Sequence, residues 1–170
     1  LDNDSTLANG VTVSAGGINN SNTVTNWGSG TGSALISGVI GPLVTGVTQN
    51  STTSQLNLSG NNAFTGGLTI LRGTVLGTAS ANAFSNVGSI TLGDSAGGSD
   101  AATLLFGTTA LTIARPIVLA PTTTGALSIG NSGAAISTTF SGGVTGTNNL
   151  TINSNATTGT VTLSGLVNNT

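Results

Sequence analysis

The sequence predicts an all-β fold in which short strands wind into stacked coils, a β-solenoid, and three observations support this. Apolar and polar residues alternate with period two in runs of about three to five residues, which is typical of half-buried strands. Each run is followed at once by Gly, Asn, Ser or Pro, the residues of tight turns. No stretch of about ten or more residues carries apolar positions at helical spacing.

Strands this short do not form stable isolated hairpins. They become stable when each forms one side of a coil, because its main-chain groups then pair with the coils above and below, about 4.8 Å away. Counting the predicted strands in threes gives about five to eight coils and a rod of roughly 25–40 Å.

The clearest stretch covers residues 55–77, QLNLSGNNAFTGGLTILRGTVLG. Its alternating runs are 56–58, 68–70 and 74–76. Ser-Gly-Asn-Asn and Arg-Gly turns separate these runs, and Gly66-Gly67 precedes the second of them. The stretch therefore reads as three strands of adjoining coils.

Within this stretch the string L-x-L-S-G-x-N-x-F-T-G-G-L-T-I-x-x-G-T-V resembles the passenger-associated β-strand repeat of bacterial autotransporters and related giant surface proteins. The resemblance implies a right-handed parallel β-helix with three short strands per coil, exported to the cell exterior, and it implies no activity. The residues that carry it are Leu56, Leu58, Ser59, Gly60, Asn62, Phe64, Thr65, Gly66, Gly67, Leu68, Thr69, Ile70, Gly73, Thr74 and Val75.

Before that stretch, the same alternation predicts strands at 11–13 and 23–25 and two more between residues 34 and 48. Pro42 fits a turn or a strand start, because proline cannot donate to a ladder. Trp27 precedes a Gly/Ser run. It is predicted to be a packing residue at a corner or an end of the solenoid, with stacking on a sugar as the alternative.

After the stretch, residues 78–88 are predicted to form a loop or one short helix, and residues 93–100 a loop. Further strands are predicted at 89–92, 102–106, 110–113, 117–119, 126–129, 138–141, 150–152 and 161–164. Stacked corner residues, Asn above all, are expected to form hydrogen-bonded ladders.

Residues 1–170 are predicted to be a single solenoid segment, about one unit of a longer tandem-repeat or filament-forming protein. Residues 161–170 echo residues 11–21, which gives a period of about 150 residues if the echo is a repeat. A chance echo within a sequence rich in Thr, Ser, Asn and Gly is the alternative.

Composition argues against several partners and sites. Only 4% of the residues are charged and the net charge is −2, so we expect no binding to nucleic acid or to an anionic membrane. Without cysteine the chain has neither a disulfide framework nor a thiolate metal site. No apolar run reaches about 18 residues, so no transmembrane helix is predicted.

The ionisable side chains give little material for catalysis. They are Asp2, Asp4, Arg72, Asp94, Asp100 and Arg115. General acid–base catalysis draws mainly on His, tuned carboxylates, Lys, Cys or Tyr. The sequence therefore predicts no catalytic residue, no cofactor and no enzyme activity.

Three further features concern two acids, the two arginines and the threonine triplets. Asp94 and Asp100 are a weak calcium candidate, because calcium prefers several carboxylates, and a solvated surface loop is the alternative. Arg72 and Arg115 are expected at solvent-facing corners. The Thr-x-Thr triplets at 23–25 and 160–162 indicate an ice-binding face only if such triplets form a regular rank, one per coil.

The function predicted first is structural: an extracellular solenoid at the bacterial cell surface that forms a fibre, stalk or filament by end-to-end stacking or tandem repetition. The alternative is an adhesin-type passenger segment that binds glycans or a host surface through Trp27 and the 93–100 loop. A polysaccharide-processing enzyme is the third possibility.

Overall fold

The computed structural model describes residues 1–107, 110–133, 135–155 and 158–169, and in these ranges the chain is all-β. Its strands stack in parallel as a β-solenoid of about seven turns with three strands per turn, as the sequence predicts. At about 4.8 Å per turn the stack is roughly 30 Å long. Residues 78–88 form turns, so the loop alternative for this segment is confirmed.

The strands are short, and turn residues lie between consecutive strands. In chain order they are β1 (Val11–Val13), β2 (Asn22–Asn26), β3 (Ala34–Ile36), β4 (Val44–Asn50), β5 (Leu56–Leu58), β6 (Leu68–Gly77), β7 (Ile90–Leu92), β8 (Ala102–Phe106), β9 (Leu111–Ile113), β10 (Ile117–Leu119), β11 (Leu127–Asn131), β12 (Thr138–Phe140), β13 (Val144–Gly146), β14 (Leu150–Ser154), β15 (Val161–Leu163) and β16 (Val167–Asn169).

Each coil has three sides, and each side is a parallel stack. The first side stacks β1, β3, β5, the second half of β6, β8, β11 and β14. The third side stacks β2, β4, the first half of β6, β7, β10, β13 and β16. The second side stacks β9, β12 and β15. In the earliest coils this side carries an isolated parallel bridge between Ile18 and Ile40.

Strand β6 differs from the sequence prediction, which placed separate strands at 68–70 and 74–76. The structure joins them into one strand that serves the third side with Leu68–Ile70 and the first side with Gly73–Gly77. Gly73 makes this corner with a φ of 77°, a left-handed conformation that glycine adopts without strain. The Arg-Gly dipeptide is therefore a bend within a strand and does not end it.

The core is a narrow column of inward-facing aliphatic residues with four phenylalanines among them. On the third side one such register column runs Val47, Leu68, Ile90, Ile117 and Val144, all buried. Full burial of one such side chain contributes about 1.5–3 kcal/mol relative to exposure.

Two of the buried phenylalanines pack against each other. Phe64, Phe84 and Phe106 are completely buried, and the rings of Phe84 and Phe106 meet edge to face with centroids 5.5 Å apart. Gly77 lies against this pair, and a Cβ atom there would come within 2.9 Å of the Phe106 ring. The aromatic packing thus requires glycine at the end of β6.

Asparagine side chains tie the corners of adjacent coils together. Asn62 accepts a hydrogen bond from the Ile40 amide (2.8 Å) and donates one to the Ala83 carbonyl (2.6 Å), so it bridges three coils. Asn82 donates to the Asn61 side chain at 2.9 Å. Asn57 likewise donates to the Asn9 side chain at 3.4 Å. The expected pairing of Asn side chains is therefore present in these two exposed pairs, while Asn62 bonds the main chain instead.

The predicted 150-residue echo gains no support from the positions of its two segments. Strand β1 lies on the first side and β15 on the second, so the matching residues are not equivalent in the coil. Residue 170 of the echo lies outside the described residues. The tandem unit stays a prediction.

Candidate functional site: a groove beside Trp27

The corner between the third and first sides brings together polar residues from successive coils. Strand β2 ends at Asn26, just before Trp27, and β4 ends at Asn50 in the next coil. Asn50 is in register with Arg72, which belongs to the coil after that. Residues far apart in the sequence therefore form one line of side chains along the solenoid axis.

Trp27 lies at this corner with 63% of its surface exposed. Burial alternates through the strand and beyond its end, because Val24, Asn26 and Gly28 face inward and Trp27 faces outward. The corner position agrees with the sequence prediction, but the packing role is wrong. Extending the alternation of β2 by one residue would have predicted the outward orientation.

Beside Trp27 is an open groove with a volume of about 290 Å³. Its floor is rigid: the Thr53 hydroxyl donates to the Ser29 carbonyl at 2.9 Å, and the Ser51 hydroxyl donates to the Gly28 carbonyl. The lining residues are Trp27, Gly28, Ser29, Asn50, Ser51, Thr52, Thr53 and Arg72.

Behind the floor, two buried amides stack across coils. The Asn26 side chain donates to the Gln49 side-chain oxygen at 2.8 Å and to the Ser54 carbonyl at 2.9 Å. Gln49 in turn donates to the carbonyls of Ser51 and Ser54, each at 2.8 Å. These bonds fix the loop that carries Thr52 and Thr53.

Arg72 forms the end of the groove and joins the two acids that the sequence left as a calcium candidate. Its Nη1 lies 3.0 Å from Asp100 Oδ2 and its Nη2 lies 4.0 Å from Asp94 Oδ2. Its side chain is 38% exposed, so the solvent-facing corner expected for Arg72 is confirmed. Such exposed pairs typically stabilise by about 0.2–1 kcal/mol.

The same contacts bear on the calcium candidate. The Arg72 guanidinium contacts both carboxylates, so a calcium ion would compete with Arg72 for Asp94 and Asp100. Nowhere in the described ranges do three or more His, Cys, Asp or Glu residues cluster in a way that could hold a metal ion. The calcium site stays a prediction.

A third carboxylate borders the groove. Asp4 accepts hydrogen bonds from the Ser29 hydroxyl (2.7 Å) and amide (2.9 Å), and these bonds lower the pKa of Asp4. The lining itself thus carries one charged side chain, that of Arg72, and three carboxylates contact lining residues: Asp4 contacts Ser29, and Asp94 and Asp100 contact Arg72.

Two polar atoms at the groove have no hydrogen-bond partner within the described chain. They are Oδ1 of Asn50, an acceptor, and Nε of Arg72, a donor, and both are shielded from solvent. Asn50 and Arg72 are register neighbours on adjacent coils, so the residues that carry the unpaired acceptor and the unpaired donor are next to each other in the ladder. Unpaired buried polar atoms typically destabilise by about 1–3 kcal/mol each.

Arg115 contradicts the sequence prediction of a solvent-facing corner, since only 4% of it is exposed. It donates from Nε to the Gly88 carbonyl (3.1 Å), from Nη2 to the Ser89 carbonyl (2.7 Å), and from Nη1 to the Phe84 carbonyl. Burial lowers its pKa to about 10, so it stays charged at neutral pH. Its role is to hold the 78–88 loop against the coil.

A rank of threonines lies on the outer surface of the third side. Thr25, Thr48, Thr69 and Thr91 occupy one register column on four consecutive coils, and the column continues through Val118 to Thr145. The rank consists of single threonines over four coils, and it is one residue wide because the neighbouring main-chain column holds Gly67, Ser89, Pro116 and Gly143. The regular rank of Thr-x-Thr triplets that the ice-binding prediction requires is therefore not present on these coils. A single line of hydroxyls is what strand propensity alone gives on a solvated face.

No known protein family, curated protein or solved structure matches the chain. The resemblance of residues 56–75 to the passenger-associated repeat therefore stays a prediction. The structure also contains, in the part of the chain that it describes, no helix long and apolar enough to cross a membrane.

Proposed function

We propose that the chain is a structural segment of an extracellular fibre, stalk or filament at a bacterial cell surface. The observation that carries this proposal is the parallel ladder, which passes through every coil and stops at both ends with strands that have one neighbour. At one end these are β1 and β2, and at the other β14, β15 and β16.

Apolar side chains accompany the open strands of the last coil. Leu166 is 78% exposed, and Val167 and Ile152 are each 49% exposed. At the other end of the rod Leu7 is 70% exposed. A further coil stacked on the last one would pair the free main-chain groups and cover these side chains, whether it belongs to the same chain or to a second copy.

The two ends of the rod differ, so stacking between copies would be head to tail. Such a contact joins two different surfaces and continues into an open filament unless rotation closes a ring. Covalent tandem repetition would give the same rod without association. The extracellular setting rests on the resemblance of residues 56–75, and a chain without cysteine is compatible with it.

Electron microscopy of a chain with two covalently joined copies tests the rod. We expect one unbranched rod about twice as long as that of a single copy, roughly 60 Å at about 4.8 Å per coil. Two globular bodies connected by a flexible joint would contradict the proposal.

Stacking between separate copies has its own test, with a matched control. Lysine on an open strand blocks edge pairing, so Val167→Lys should abolish any concentration-dependent growth in sedimentation velocity. Val39→Lys is the control, because Val39 has the same 49% exposure but follows β3 in the second coil, where the strand already has a neighbour on each side. Equal growth in both variants would argue against end-to-end stacking.

The exposed Trp27 beside a polar groove favours a second candidate function, an adhesin-type segment that binds glycans. Aromatic faces stack on the apolar faces of sugar rings while neighbouring polar groups bond the hydroxyls. We propose no catalytic activity for the segment.

A further inference from the structure

We propose that the Trp27 groove binds uncharged sugars, with the sugar chain running along the solenoid axis and without a metal ion. This inference rests on the second candidate function and specifies its ligand class. An isolated exposed aromatic is ordinary on protein surfaces. The argument therefore depends on what surrounds the ring.

The first argument is the chemistry of the lining. Around the indole stand the hydroxyls of Ser29, Thr52 and Thr53 and the amide of Asn50. This is the mixture of an aromatic platform and short donors and acceptors that a polyol requires, because each sugar hydroxyl both donates and accepts. The bonds behind the floor hold these groups in place before any ligand arrives.

The second argument is the unpaired acceptor and donor at the far end. Asn50 Oδ1 and Arg72 Nε are neighbours without partners in the described chain. Both atoms are shielded from solvent, so a hydroxyl reaches them only when one of the two side chains turns toward the groove, and it then donates to the first atom and accepts from the second. Its binding would satisfy both atoms, and the outer nitrogens of Arg72 would keep their contacts with Asp94 and Asp100.

The third argument is charge, which selects uncharged sugars over anionic ones. Three carboxylates contact residues of the lining, and the Arg72 guanidinium already contacts two of them. A uronic acid or a sulfated sugar would add a further negative charge to a region with three carboxylates and one guanidinium, where like charges repel. A neutral sugar meets no such penalty.

The fourth argument is length. Trp27, Asn50 and Arg72 belong to three successive coils. They therefore span two coil spacings, about 10 Å along the axis. The volume of about 290 Å³ lies just below the usual range for small-ligand sites, about 300–1,000 Å³, so the groove holds a short segment of a sugar chain and not a bulky one.

The single tryptophan makes the test direct, because the sequence has one Trp and no Tyr. The probes are neutral tetrasaccharides of glucose, galactose, mannose, xylose and N-acetylglucosamine, with tetrasaccharides of uronic acids as the charged set. We expect a saturable shift of the tryptophan emission with at least one neutral probe. The uronic acid set should bind at least tenfold more weakly, and EDTA should leave neutral binding unchanged.

Variants then assign the site by calorimetry or ligand-observed NMR. Trp27→Ala should abolish binding and Trp27→Phe should keep part of it, while Arg72→Met should weaken it about tenfold. Leu43→Ala is the control, since Leu43 is 54% exposed on a different corner, and it should bind like the unchanged protein. Circular dichroism checks that each variant keeps its β structure.

The outcomes that overturn the proposal are equally specific. They are no binding of any neutral probe at millimolar concentration, preference for the uronic acids, loss of binding with EDTA, or unchanged binding by Trp27→Ala. An emission shift that depends on protein concentration alone would assign the groove to contact between copies. Rod formation is measured separately by microscopy, so its failure is distinguishable from failure of sugar binding.

Discussion

Arg115 places its guanidinium carbon 5.8 Å from the centroid of the Phe64 ring, although the two residues belong to different coils. The same guanidinium donates to three main-chain carbonyls of the segment that ends at β7. This buried cation bonds three carbonyls and faces an aromatic ring, so it holds residues 78–88 in place. For this segment the sequence predicted either a loop or one short helix.

Replacing this arginine should destabilise the fold strongly. Arg115→Met keeps most of the side-chain volume but leaves three carbonyls without their donor, and hydrogen bonds to charged groups contribute about 1.5–3 kcal/mol each. Because the contributions are not independent, we expect a loss of about 2–4 kcal/mol in the free energy of unfolding. Denaturant titration followed by circular dichroism measures it.

The other arginine of the chain supplies the matched control. Arg72→Met removes exposed ion pairs, so the free energy of unfolding should change by less than about 1 kcal/mol. Equal losses in the two variants would show that the buried hydrogen bonds of Arg115 are not what stabilises the loop.

Glycine at the end of β6 is the second test of the core. Gly77→Ala inserts a methyl group within 2.9 Å of the Phe106 ring and also against Phe84, and overpacking of this kind typically destabilises by about 1–3 kcal/mol. Gly16→Ala is the control, because a Cβ there meets nothing within 4 Å. Thermal unfolding of both variants compares them, and a neutral Gly77→Ala would mean that the aromatic stack yields easily.

The sequence predicted the solenoid because its signals are local. Period-two alternation and turn residues determine where strands begin and end, and they placed strands such as β5, β7 and β10 close to their observed bounds. The sequence did not predict that Gly73 bends one continuous strand. A breaker residue predicts that a strand ends, whereas here the strand continues from the third side of the coil to the first.

The groove was only partly predictable. Trp27 and the 93–100 loop were singled out by residue type, but the ion pairs of Arg72 with Asp94 and Asp100 depend on how coils of unequal length align. Asn26 and Gln49, which are 23 residues apart, pair for the same reason. Arg115 was misplaced because nothing near it in the sequence reveals the carbonyls that draw it inward.

Asn62, one of the residues in the predicted repeat motif, should be important for stability. Asn62→Ala removes the acceptor of the Ile40 amide and the donor of the Ala83 carbonyl, both buried. Leaving buried groups unpaired typically destabilises by about 1–3 kcal/mol each, so we expect a loss of at least about 1 kcal/mol in the free energy of unfolding. Asn20→Ala, at an exposed corner, is the control, and it should be close to neutral. If denaturant titration gives equal values for the two variants, the bridge by Asn62 contributes little.

The dependence of stability on pH should be confined to the acid range, and Asp4 is one group that contributes to it. The hydrogen bonds from Ser29 lower the pKa of Asp4 in the folded state below its usual value of 3.8. A carboxyl group with a lowered folded pKa contributes stability above its unfolded pKa, and that stability is lost as pH falls through the folded pKa.

The sequence contains no His, Lys, Cys or Tyr side chain to titrate between about pH 5 and 9. Melting temperatures should therefore be nearly constant over that range and fall below about pH 4. Asp4→Asn should reduce the acid fall, while Asp2→Asn, at an exposed position nearby, should reduce it less. An equal effect of the two substitutions would show that the bonds from Ser29 to Asp4 do not couple protonation to folding.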